Sequence, residues 1–257
     1  MKSLPRIMVA PNGARFNKRD HPALPITIAE TVECAIACNA VGADGLHAHI
    51  RDEQGNHLLD RYVYAELIRE LETMVPEMKV QITTEAVDRY SPDFQMEIAL
   101  GSGAKMVSVS IRELSTATPE ATSEFYLECE AKDIAIQHIL YDTNDCALLQ
   151  QRLPHKLFSS SSLQLLFVLG RYSESKEASP SELKPFLRWL STAQLSPDWA
   201  VCAFGKKETE CLMESKRHGG KCRIGFENSF FLRSGEVAEF NAEKVEDFRC
   251  AIDEAIL

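Results

Sequence analysis

Apolar and polar positions alternate in two registers along this chain. Short runs of apolar residues recur as RIMVAP (6–11), GLHAHI (45–50), KVQITT (79–84), KMVSVS (105–110), AIQHILY (135–141), LQLLFVL (163–169), WAVCAF (199–204) and CRIGFE (222–227). They are rich in Val, Ile, Leu and Phe and poor in charge, as strands covered on both faces should be. Between them lie stretches with helical spacing: 27–42, 60–75, 91–103, 118–133, 144–153, 179–192, 207–219 and 241–256. Several open on a capping residue. Thr27 precedes Glu30 by three positions, Asp60 starts the second stretch, and Ser91-Pro92 and Thr118-Pro119 pair a cap with a proline at the first helical position.

Strict alternation of strand and helix predicts parallel strands joined by right-handed crossovers. Eight such units in 257 residues predict an α/β chain forming one closed (β/α)8 TIM barrel over 1–257. An open dinucleotide-binding sheet is the rival, but no G-x-G-x-x-G follows a strand. The segment Asn12–Pro25 is long for a strand-to-helix loop, and in a barrel it sits at the catalytic mouth.

Composition narrows the partners. Hydrophobic residues make up 45% of the chain, enough for a sizeable core, and the net charge is -10. An acidic balance argues against duplex nucleic acid or an anionic membrane as partner. No run approaches the roughly 18 apolar residues that span a bilayer, and the N-terminus lacks a signal-peptide core. The expected compartment is the cytoplasm. The eight cysteines include no C-x-x-C pair and read as buried, reduced thiols.

The sharpest chemical signal is His47-Ala48-His49-Ile50-Arg51-Asp52. Alternation puts His47, His49 and Arg51 on one face of the second strand, which in a barrel is the lumen. Two imidazoles at that spacing reach one divalent ion. Arg223, Gly225 and Glu227 share a face of the last strand, so Glu227 points into the same lumen. Two histidines and one carboxylate form a zinc set that keeps a position open for substrate. Such an ion acts as a Lewis acid on a carbonyl or activates water.

Polar residues also collect at the other strand ends. They are Asn12 and Arg15 after the first, Thr83, Thr84 and Glu85 after the third, and Ser110, Arg112 and Glu113 after the fourth. Asp142 and Thr143, then Gly170 and Arg171, then Gly205, Lys206 and Lys207 follow strands five to seven. The Gly-Lys-Lys falls where barrels often hold phosphate. His138 sits mid-strand and reads as a core or lumen histidine. His21, His57, His155 and His218 carry no chemical argument.

At these residues the sequence resembles the β-keto acid cleavage enzymes, which include the 3-keto-5-aminohexanoate cleavage enzymes. The resemblance rests on Asn12-Gly13-Ala14, HAHIRDEQGNHLLD, QITTEA, FVLG and GGKCRIGFENSFFL with Asn241-Ala242 beyond. It implies one zinc ion on His47, His49 and Glu227, and a homotetramer. It also implies Claisen and retro-Claisen exchange, in which β-keto acid and acetyl-CoA give acetoacetate and a new acyl-CoA. Thr83 and Thr84 match substrate-holding residues, joined on the rim by Asn12, Ser110 and Arg112. Arg223 matches the arginine paired with the catalytic acid, and Gly205 and Lys206 are the expected contacts to the CoA cofactor. Two positions depart from the family pattern. The base, an aspartate after the metal-binding glutamate, is here Asn228, and a neutral amide accepts no proton. A substrate-contacting glutamate is here Arg15, which favours an anionic tail or a dicarboxylic β-keto acid over an aminated one. Glu85 replaces a family glycine and is the substitute base. The alternative reading is a metal-dependent hydrolase or lyase that acts on a related carboxylate without CoA.

Overall fold

The computed structural model describes residues 3–171 and 177–255. The elements run β1 (Ile7–Val9), α1 (Ile28–Ala40), β2 (Gly45–Ala48), β3 (Ile50–Arg51), β4 (His57–Leu58), α2 (Arg61–Met74), β5 (Lys79–Thr83), α3 (Pro92–Gly101), β6 (Met106–Ser110), α4 (Ile111–Leu114) and α5 (Pro119–Ala131). They continue as β7 (Ala135–Leu140), α6 (Thr143–Arg152), α7 (His155–Phe158), β8 (Gln164–Leu169), a 3-10 turn (Pro180–Glu182), α8 (Leu183–Thr192), β9 (Asp198–Ala203), α9 (Glu208–Arg217), β10 (Lys221–Ile224) and α10 (Asn241–Glu254). The helix expected to reach residue 256 ends at Glu254, and residue 256 lies outside the described residues.

Eight parallel strands close in the order β1-β10-β9-β8-β7-β6-β5-β2, the predicted barrel. Period-two alternation divides each strand between two cores. Leu165, Phe167 and Leu169 of β8 pack outward under the helices with Val201 and Ala203 of β9. Leu166 and Val168 pack inward with Met8, Ala200 and Cys202 in the lumen. The caps form as read: Thr27 and Glu30 make a reciprocal capping box, and Asp60, Ser91 and Thr118 each accept a backbone N–H of the helix they start. No described helix is long and apolar enough to cross a membrane.

Three departures bear on the site. The run read as a strand over 45–50 breaks at His49, and a small antiparallel hairpin, β3–β4, rises from the barrel mouth. The last strand stops at Ile224 instead of residue 227, because Gly225 turns to φ +143°. A Cβ there would lie 2.4 Å from the Ala10 carbonyl oxygen, so only glycine lets β1 and this turn approach so closely. Short helices α4 and α7 interrupt the one-strand, one-helix alternation.

Candidate metal centre

His47 ends on the lumen face of β2, and His49 reaches the same point from the break that follows it. Their Nε2 atoms are 3.2 Å apart. Glu227 arrives from the turn after β10, and its Oε2 lies 3.6 Å from each Nε2. Among the described residues these three form a group able to hold a metal ion. A tetrahedral zinc with ligands at about 2.0–2.1 Å requires ligand atoms about 3.3 Å apart, close to the spacing here. Glu227 Oε2 is buried without a hydrogen-bond partner. A carboxylate oxygen and two imidazole nitrogens aimed at one point, with the oxygen unsatisfied, fit a cation better than they fit one another.

The tautomer of His47 follows from a chain of buried amides. Gln137 Nε2 donates to the Leu165 carbonyl at 3.2 Å, which fixes the orientation of that amide. Its Oε1 therefore accepts from Gln81 Nε2 at 3.0 Å. Gln81 Oε1 in turn accepts from His47 Nδ1 at 2.8 Å. The proton of the neutral ring sits on Nδ1, and Nε2 presents a bare lone pair to the centre. Sequence reading missed both glutamines. The available signal was a polar residue at an inward position of a strand otherwise apolar.

Electrostatics favour the ligand forms. Burial pushes His47 down to about 4, helped by Arg223, and holds His49 well below its usual value. Burial pushes Glu227 upward, but the charge of Arg223, joined by Arg171, outweighs it and keeps the carboxyl below its usual range. Arg223 donates to Glu227 Oε1 at 3.3 Å. Its Nε and Nη1 are buried without partners, an orphaned pair of donors beside the centre.

The pocket above is lined by Thr83, Glu85, Ser110, Tyr141, Arg171 and Arg223, with Ile139, Val168 and Phe204 as its apolar wall. Glu85 Oε1 lies 3.6 Å from Arg15 and 3.5 Å from Arg171. Arg171 also covers the Phe204 ring at 4.8 Å. Burial, and then the charge of Glu227, raise the pKa of Glu85. His57, given no role from sequence, donates from Nε2 to the Glu85 carbonyl at 2.8 Å, and its ring lies 5.3 Å from His49.

Other expected contacts are engaged within the fold. Asn12 is buried and ties the Pro25 and His49 carbonyls at 3.0 and 3.1 Å. Thr84 donates to Ser108 O, and Arg112 is held by Asp145 and Asp142 at 2.5 and 2.6 Å. None of the three lines the pocket. Arg51 likewise turns from the lumen to the carbonyls of Asn12, Gly13 and Phe16, bracing the loop after β1. Gly205 N–H donates to Asn228 O at 3.3 Å, and Lys206 lies 4.8 Å over the Phe231 ring. Asn228 is buried beneath the turn, directed at Glu208 and the Arg223 carbonyl. His138 faces outward from β7, its Nδ1 donating to Gln164 O, and its ring lies 5.5 Å from Tyr126 of α5.

The family model described as beta-keto acid cleavage enzyme matches residues 6–256. The 3-oxoadipate:acetyl-CoA acetyltransferase of Cupriavidus necator is 25% identical over 259 residues, covering 96% of this chain and 88% of that protein. The 3-keto-5-aminohexanoate cleavage enzyme of Fusobacterium nucleatum subsp. nucleatum is 23% identical over 244 residues, covering 91% and 86%. Among solved structures, apo ObcA superposes with a TM-score of 0.72 at 14% identity, over 91% of this chain and 62% of that one. KGPDC from Streptococcus mutans gives 0.58 at 13% identity, over 98% and 99%. At such identities the solved structures speak for the barrel alone.

Proposed function

Because the chain belongs to the beta-keto acid cleavage enzyme family, we propose that it exchanges acyl groups between a β-keto acid and acetyl-CoA, yielding acetoacetate and a new acyl-CoA. The observation that carries this reading is the convergence of His47 Nε2, His49 Nε2 and Glu227 Oε2 within 4.8 Å of one another. Zinc bound there supplies Lewis-acid stabilisation for an enolate oxygen. Neutral histidines and a single carboxylate, beside Arg223, leave a loaded site net positive, which suits an anionic substrate.

The chain's own residues do the rest. The free N–H groups of Arg223 receive a carboxylate or a developing oxyanion beside the centre. Glu85 is the base that takes the proton from the carbon between the keto and carboxylate groups, since Asn228 faces away and accepts none. Its pKa, raised by burial and by the charge of Glu227, makes it a stronger base than an ordinary carboxylate. Thr83 and Ser110, which line the same pocket, orient the substrate. Arg15 and Arg171 flank Glu85 at the mouth and receive an anionic acyl tail. Gly205 and Lys206 meet the CoA at the rim. The assembly follows the family resemblance as a homotetramer.

Purified protein is incubated with 3-oxoadipate or a neutral-tailed β-keto acid, with and without acetyl-CoA. Acetoacetate is expected only with the thioester, and faster from the dicarboxylate. Glu85→Gln is expected to lower kcat by about 10²–10⁴. Full activity in that variant would remove Glu85 from the chemistry. Substrate cleavage without the thioester would instead support the metal-dependent hydrolase or lyase reading, which the amide at position 228 favours.

A further inference from the structure

The turn that carries Glu227 is gripped from below by groups that play no part in the proposed chemistry. Glu208 of α9 and Lys244 of α10 form an ion pair at 2.7 Å, each only 1% exposed. Glu208 Oε1 accepts the Gly225 N–H at 3.3 Å and Asn228 Nδ2 at 3.2 Å, one on each side of Glu227. Lys244 Nζ donates to the Phe231 carbonyl at 2.6 Å, holding the chain just beyond the turn. Asn241 accepts the Phe226 N–H at 2.9 Å and donates to Pro11 O at 3.1 Å. From above, Gly13 closes on Glu227: a Cβ there would lie 2.6 Å from its Cγ. The metal-facing carboxylate is therefore held on both sides although no strand carries it.

The chemistry at position 228 follows from its neighbours. Asn228 Nδ2 meets two acceptors, Glu208 Oε1 and the Arg223 carbonyl at 3.2 Å. Only a donor satisfies both. An aspartate would set a carboxylate against another carboxylate and a carbonyl in a buried site, where unpaired acceptors cost most.

We propose that Glu208, Lys244 and Asn228 form a buried positioning unit that presents Glu227 to the metal, with Asn228 serving as a strut in place of a proton acceptor. The inference rests on the metal reading above. Outer groups that orient a ligand typically change metal affinity by about 10–100-fold when removed.

The test is zinc affinity by chelator competition on folded protein, together with the visible spectrum of the cobalt-loaded form, which reports ligand geometry. Asn228→Asp is expected to weaken zinc binding by about 10–100-fold and to alter the cobalt spectrum. The double variant Glu208→Leu with Lys244→Met removes the pair without stranding a charge and is expected to do the same. The melting temperature of each metal-free variant separates this from general loosening. Wild-type zinc affinity and an unchanged cobalt spectrum in both variants would overturn the proposal. So would a faster enzyme in Asn228→Asp, since it would place residue 228 at the substrate. Failure of the wild type to bind zinc would instead remove the metal reading itself.

Discussion

The two halves of the centre are held by different means. His47 comes from a parallel strand whose ladder pairs it with Gln81, residue against residue. Its ring is oriented by a line of two amides, Gln81 on β5 and Gln137 on β7, that ends on the Leu165 carbonyl of β8. Glu227 sits three residues past the end of β10, on a turn tied to the β1 side by its own N–H to the Ala10 carbonyl at 3.1 Å, and two helices supply further support through a buried ion pair. A strand ladder fixes a side chain by repetition, so each neighbour carries a small share. A turn must be fixed by a few strong contacts, and each of these is costly to lose.

Removing a ligand from either half tests whether both serve one centre. His49→Ala and Glu227→Ala are each expected to lose bound zinc, read by elemental analysis, and at least about 10³-fold in kcat/KM, the effect of several kcal/mol of lost Lewis-acid stabilisation. If one variant keeps both metal and rate, the halves are not partners. Breaking the supports comes next. Lys244→Met leaves Glu208 buried without its counter-charge and is expected to cost about 3–5 kcal/mol in urea unfolding. On the histidine half, Gln81→Leu is expected to cost less stability, while weakening zinc by about 10–100-fold as His47 loses its preferred tautomer. Equal destabilisation by the two substitutions would erase the contrast between ladder and turn.

Acid separates the halves with the mildest perturbation. His47, His57 and His138 are held neutral by burial, each down to about 4. Between that value and about 6.5 the unfolded chain binds protons the folded one does not. Stability of the metal-free protein therefore falls as pH drops through that window. Glu227, kept below its usual range, loses its contribution only below about 4.3. Metal-free melting curves from pH 7 to 4 should decline first with the histidines, and a flat profile over that interval would contradict their neutral burial.

Some of this centre was legible in the chain. The apolar runs located all eight barrel strands, because parallel strands in a barrel are covered on both faces. His47 and His49 were found because alternation is local. Glu227 was also found, yet by a route the structure replaces: it reaches the lumen through a turn that Gly225 permits, with no continuing strand. Arg112 looked like a rim cation from its position, and two aspartates from the next loop and helix neutralise it. His57 looked idle until the β3–β4 hairpin folded it over His49.

The sequence by itself determined the barrel, its strand-helix order and the residue types able to hold a metal, because periodicity and capping act over a few neighbouring positions. Only the tertiary structure decided which carboxylates pair with which cations, which tautomer His47 adopts and what Asn228 faces. Those outcomes depend on groups brought together from distant strands and helices, in a buried site where each donor must find an acceptor.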